Sequence, residues 1–277
     1  MARKLLKIHN RKMMMQRILP GVFLLMSLVS CRQFEFHPNE VRPDEKDLNR
    51  KNIDRIESIN AQTDFNFILL GDTQRHYEDL EDFVRHVNGI DSIAFVLLAG
   101  DLVDFGLSKE YNWIVDELKK LRIPFVSVIG NHDLLANGGK IFRDMFGPDN
   151  FSFSYGKTKF ICINTNSREY DYNGRVPDIE WLKKELQNDS GYDNIFVLSH
   201  VPPFSVDFDR DLELPYAEAL AAQPKTRISL HGHEHHYNLS YPYPGGIPYL
   251  VAAAANRRSY VTISVKGNQY SINQNNF

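Results

Sequence analysis

The chain has 277 residues, 43% of them hydrophobic, with 32 basic and 35 acidic side chains, which is enough for one large core. Six of the basic side chains and none of the acidic ones fall in residues 1–30, so the remainder carries 26 against 35 and a formal charge of −9. Such a surface repels a nucleic-acid backbone and argues against a general DNA or RNA binder. With only Cys31 and Cys162 present, no cysteine metal cluster is possible, and Cys162, inside the apolar run Phe160 to Ile163, reads as a buried thiol.

Arg3, Lys4, Lys7, Arg11, Lys12 and Arg17 precede an apolar stretch from Ile18 to Val29. The pattern is that of a secretory signal over residues 1–30, short for a spanning helix. Leu28 to Cys31, LVSC, resembles a bacterial lipobox. That resemblance implies cleavage before Cys31 and acylation of its thiol, hence an exported lipoprotein of the cell envelope held on the membrane; an uncleaved anchor or a fortuitous Cys is the other reading. Residues 31–44 are polar, contain Pro38 and Pro43, and read as a tether. The domain then runs over residues 45–277.

Within it, Leu48, Ile53, Ile56 and Ile59 share one face of a helix. Phe65 to Leu70 is a buried strand ending in Gly71 and Asp72 of GDTQ, and a helix from Leu80 to Asn88 follows. Ile93 to Leu98 is a second strand, which delivers LLAGDLVD, with Asp101 and Asp104, into a turn. A helix from Lys109 to Leu121 leads to a third strand, Phe125 to Ile129, ending in GNHD, Gly130 to Asp133. Phe151 to Tyr155 and Phe160 to Asn164 suit a hairpin turning at Gly156 and Lys157. Pro177 to Leu186 is helical, with Trp181 as packing. Ile195 to Leu198 ends in SHVPP and Ile228 to Leu230 in HGHEHH. Tyr249 to Ala253, Tyr260 to Val265 and Gln269 to Asn273 alternate apolar with polar residues and read as antiparallel strands.

Strand and helix alternate, and each time a polar cluster sits at the carboxyl end of the strand, the edge at which open α/β sheets bind ligands. Five strand ends supply Asp72 with Gln74, Asp101 with Asp104, Asn131 with His132 and Asp133, His200, and His233 with His235. Singly these are turn formers and core histidines. Jointly they are a nitrogen and oxygen set suited to divalent cations.

In this order and spacing the residues resemble the calcineurin-like metallophosphoesterase superfamily, over about Phe65 to Val265. The resemblance implies an α/β fold of two face-to-face mixed β-sheets flanked by helices, a four-layer α/β/β/α sandwich. It also implies two divalent or trivalent metal ions (Mn, Fe, Zn or similar) and metal-dependent hydrolysis of a small phosphate ester. Asp101 would bridge the cations; Asp72, Gln74 and His235 would complete the first site, and Asn131, His200 and His233 the second. His132 would donate a proton to the leaving alcohol, Asp133 would orient it, and Asp104 would serve as a supporting acceptor or helix cap. Gly232 would let the His233–His235 loop turn.

One position departs from the common pattern, in which the residue two after the first Asp is His. Gln74 offers a neutral amide oxygen, a poorer donor for a borderline metal, so the first site should hold its cation more weakly. His76 is the substitute ligand to consider. Two other readings stand beside the hydrolase: a non-catalytic binder of metal or phosphate ligands impaired at Gln74, and a metalloprotease, because His231 to His235 spells the inverted zinc-protease motif HxxEH. That motif needs a helix, and here a strand precedes it and Gly232 interrupts it. Mono- and diester substrates stay open. Arg168 to Arg175 and Phe204 to Pro215 read as long loops, either a lid or solvated surface, and Arg257 and Arg258 as phosphate contacts or surface charge.

Overall fold

A computed structural model of the chain describes residues 41–59 and 62–277. The signal segment, Cys31 and the tether as far as residue 40 lie outside the described residues. Residues 41–44, assigned to the tether, lie against the domain instead. Val41 packs on the outer core, and the Arg42 and Asp44 amides donate to Ser108 Oγ at 2.9 Å and Asn112 Oδ1 at 3.1 Å.

The elements in chain order are α1 (Leu48–Ser58), β1 (Asp64–Leu70), α2 (Tyr77–Val87), β2 (Ile93–Leu98), α3 (Ser108–Leu118), β3 (Phe125–Ser127), α4 (Gly138–Met145), β4 (Phe151–Tyr155) and β5 (Thr158–Cys162). They continue with α5 (Ile179–Gln187), β6 (Asn194–Leu198), α6 (Arg210–Ala222), β7 (Thr226–His231), β8 (Asn238–Ser240), β9 (Tyr249–Val251), β10 (Ser259–Lys266) and β11 (Gln269–Asn276). They form two mixed sheets, ordered β11-β10-β1-β2-β3 and β4-β5-β6-β7-β9-β8. The strands β1, β2 and β3 run parallel in the first, and β5, β6, β7 and β9 in the second.

Side-chain alternation makes the layers. Phe65, Phe67 and Leu69 of β1 point into the core between the sheets, where they meet Phe160, Phe196 and Leu198. Ile68 and Leu70, one step out of phase, pack under the helices with Leu80, Phe83 and Ile114. Strands buried on both faces therefore read as continuous apolar runs. The middle layer is aromatic: Phe67 stacks on Phe95 with centroids 5.5 Å apart, and Phe160 meets Phe67 edge-on at 5.2 Å. Each buried phenyl contributes about 1.5–3 kcal/mol, and together they hold the two sheets in one register at the rim above.

Three elements differ from the sequence reading. Tyr249–Val251 is parallel to β7 and antiparallel only to β8, because the chain passes β7 to form β8 at the sheet edge and returns through β9 between them. The helix α4 begins on Gly138-Gly139, poor helix formers that hide it. Half of the expected loop Phe204 to Pro215 is the start of α6: Asp209 caps it through Asp211 N at 3.1 Å, Tyr216 and Leu220 are buried along one face, and Pro215 inside the helix obscures the signal.

Candidate metal centre

Asp101 lies three residues past β2 with φ +53°, a left-handed conformation that costs a non-glycine residue roughly 1–3 kcal/mol and persists where the surroundings fix it. Here they do. Its carbonyl accepts the Thr73 and Gln74 amides, both at 3.1 Å, and Oδ1 accepts the His132 amide at 2.8 Å. A Cβ at Gly130 would collide with the Asp101 backbone nitrogen, so the third strand end can approach only as glycine.

Around this carboxylate the strand ends converge. His200 Nε2 is 3.3 Å from Asp101 Oδ2, and its Nδ1 is 3.7 Å from Asp72 Oδ1 and 2.7 Å from the Ala99 carbonyl. Asn131 Oδ1 lies 3.0 Å from both His200 Nε2 and His233 Nδ1. The His233 amide donates to both Asp72 oxygens, at 3.1 and 3.2 Å. One atom each of Asp72, Asp101 and His200 can lie within 4.8 Å of the other two. All three side chains are buried.

Burial pushes the Asp72 carboxyl upward, an effect offset in part by His200 and reinforced by the charge of Asp101. For Asp101 burial acts in the same direction, but the His200 charge and hydrogen bond outweigh it and hold the carboxyl below its usual range. His200 is desolvated, yet the Asp101 and Asp72 carboxylates raise it to about 10. Two buried carboxyl groups face one imidazole, and ionising both leaves an excess negative charge that a low-dielectric site tolerates poorly without a cation.

Gln74 is buried, with its amide oxygen Oε1 accepting nothing from the protein. A buried acceptor without a partner, two residues after Asp72, is a second sign that the donor set fits cations. His235 is exposed, at φ +57°. The turn expected of Gly232 is taken by His233 and His235, at φ +73° and +57°. Gly232 instead allows close approach, since a Cβ there would sit 3.0 Å from the Ala99 carbonyl and 3.3 Å from Asp72 Oδ1.

Asp133 does not face His132. Its carboxylate accepts the amides of Leu102, Val103 and Gly130 at 2.9, 3.1 and 2.8 Å, and burial followed by the charge of Asp101 raises it to about 7. It ties the second and third strand ends together. The His132 ring is held through Nδ1 by the Asp104 carbonyl at 3.0 Å, while the Asp104 carboxylate pairs with Arg75 Nε at 2.6 Å and α3 is capped by Glu110, which accepts the Phe105 and Leu107 amides. His76 Nδ1 lies 3.9 Å from Asp79. Arg258 is engaged by Asp79 and Asp82 at 3.0 and 2.8 Å. His231 ends a strand, with Nδ1 3.0 Å from Ser199 Oγ, so the HxxEH string lacks the helix a zincin needs. Asp207, which pairs with His233 Nε2 at 3.1 Å, went unread as an individual residue. One acid in the run DFDRD carries no local signal.

Residues 65–237 match the calcineurin-like phosphoesterase family, and the chain belongs to that family. It is similar to a probable glycerophosphodiester phosphodiesterase, GpdQ, of Arcobacter nitrofigilis, with 24% identity over 140 residues. The match covers 48% of this chain and 51% of that protein, so the chain spans about half the length of this curated relative. Its fold resembles a dimetal phosphatase from Danio rerio, with TM-score 0.60 and 12% identity over 76% of this chain and 96% of that one. A purple acid phosphatase from yellow lupin seeds gives TM-score 0.61 at 12% identity, over 77% and 51%. At these identities the structural likeness is one of fold.

Proposed function

We propose that the chain hydrolyses phosphate esters at a dinuclear centre astride Asp101. The observation that carries this reading is the convergence of Asp72, Asp101, Asn131, His200 and His233 from five strand ends onto one buried cluster. Asp72, Gln74 and His235 would hold one cation and Asn131, His200 and His233 the other, with Asp101 shared. Bound cations supply Lewis acidity, which acidifies water and neutralises phosphoryl oxygens. The chain's own residues orient and protonate. His132, held at Nδ1 by the Asp104 carbonyl, keeps Nε2 for the leaving-group oxygen. Asp133 fixes the backbone that carries both His132 and Asp101.

The relative is named a diesterase and the fold neighbours are named phosphatases, so both ester classes enter the test. The chain without residues 1–30, loaded with manganese, should cleave bis(p-nitrophenyl) phosphate or p-nitrophenyl phosphate, lose this activity to EDTA and regain it with metal. A chain that holds two manganese ions and cleaves neither these nor a panel of glycerophosphodiesters and nucleotides would overturn the reading. Gln74 in place of the common histidine favours one second reading, a metal or phosphate-ligand binder without turnover; one cation per chain and no hydrolysis would establish it. Anchoring through an acylated Cys31 belongs to the same proposal and rests on residues 1–31. Labelled palmitate should enter the parent chain but not Cys31→Ser.

A further inference from the structure

The two stretches that read as a lid meet at Asp207. Its carboxylate oxygen Oδ2 lies 3.1 Å from His233 Nε2 and 2.9 Å from the guanidinium of Arg168. The Arg168 amide donates to the Asp207 carbonyl at 3.3 Å, so backbone and side chain lock the two segments together. Neither Asp207 nor His233 is open to solvent, with side chains 16% and 14% exposed. The segment is held from below by Phe208, which is fully buried and packs edge-on against Tyr216 with centroids 5.6 Å apart. Asp207 is therefore a fixed acceptor.

An imidazole carries two nitrogens with different work. In His233, Nδ1 points to Asn131 Oδ1 and Nε2 to Asp207. A carboxylate on Nε2 draws the ring proton to that side and leaves the Nδ1 lone pair directed into the buried cluster. It also increases the basicity of that lone pair, as carboxylates do for histidines that bind metals. Arg168 sets the position and charge of the carboxylate in turn. It is also paired with Glu169 at 3.1 Å, so its guanidinium bridges two acids.

We infer that Asp207 is a positioning residue that fixes the tautomer and ring plane of His233 for cation binding, and that Arg168 is the clamp that keeps Asp207 in place. The inference rests on the dinuclear reading above. It assigns the 168–175 and 204–209 segments to holding the second cation.

Manganese titration by calorimetry of the metal-free chain, beside its thermal midpoint, tests it. The parent should take two ions. Asp207→Ala should weaken the tighter of them roughly 10- to 100-fold at an unchanged midpoint, and Asp207→Asn, whose amide oxygen still accepts from Nε2, should recover much of that loss. Arg168→Gln should have a smaller effect in the same direction. If the parent binds no manganese, the dinuclear reading fails. If the parent binds two ions and Asp207→Ala binds both as tightly while folded, the positioning role fails and the reading stands. If Asp207→Ala does not fold, Asp207→Leu takes its place: unchanged affinity for both ions in folded Asp207→Leu would overturn the role, and a loss there that Asp207→Asn restores would support it.

Discussion

In the proposed dinuclear centre the two halves would share Asp101, and the residues assigned to them are built differently. In the half around Asn131, the amide oxygen lies 3.0 Å from both His200 and His233. His200 is pinned by the Ala99 carbonyl and His233 by Asp207, so the donors stand in place before any cation arrives. In the other half, Asp72 is fixed by the His233 amide, but Gln74 keeps an oxygen without a partner and His235 is exposed. The first half is preorganised and has lost its ordering entropy on folding. The second, as proposed, would have to order an imidazole when it binds and would rely on a neutral amide where the family's common pattern has histidine. Filling should be sequential, with the Asn131 half first.

The largest effect is expected where both halves depend on one group. Asp101→Asn removes the shared charge and should empty both sites, with metal content falling from two per chain toward none by elemental analysis. Loss of metal assistance worth several kcal/mol lowers turnover by roughly three orders of magnitude or more. Retention of both cations would dissolve the comparison, since the halves would not share a ligand.

Next come substitutions that separate the halves. Asn131→Ala deletes the oxygen that two histidines face and should cost the tighter ion on the order of 100-fold in affinity, while Gln74→Ala should weaken only the looser one, by about tenfold. Manganese calorimetry resolves both. Equal losses at the two positions would mean that preorganisation does not set the order of filling.

The halves should also differ in their response to pH. His200 is raised to about 10 by its carboxylates, from an ordinary value near 6.5. In the metal-free fold its ion pairs contribute fully below pH 6.5, and that contribution is lost as pH rises through 10. A cation needs the Nε2 lone pair, so uptake releases this proton, and affinity at the tighter site should rise about tenfold per pH unit between 6.5 and 8.5. Titrations across that range in buffers of different ionisation enthalpy would report the slope and the proton. His200→Asn should flatten it.

The layers and the rim were legible because their signals are local. Phe65 to Leu70 and Ile93 to Leu98 are bounded apolar runs, and Asp72, Asp101, Asn131, His200 and His233 each follow such a run by two or three residues. What the sequence concealed depends on contacts far along the chain. The Asp133 carboxylate lies beside His132 in sequence but bonds across to Leu102 and Val103. The link from Asp207 to His233 spans two loops, and α6 is masked by Pro215 within it. The backbone strain at Asp101 and His233 is equally invisible, since neither residue type announces a left-handed conformation.

The smallest expected effect bears most directly on the weaker half. If Gln74 is the reason for loose binding there, Gln74→His should supply the missing nitrogen donor and tighten the looser ion by roughly three- to tenfold for manganese, more for zinc, which favours imidazole more strongly. The tighter ion should not change, because the hydrogen bond from Gln74 to Asp101 comes from its backbone amide, which the substitution keeps. The gain depends on His235 as well: an exposed imidazole at φ +57° must still be ordered, and that cost persists in the variant. Gln74→His should therefore narrow the gap between the two affinities without closing it. If the gap closes, the weakness lay in donor chemistry alone; if it does not narrow, it lies in the ordering of the His235 loop.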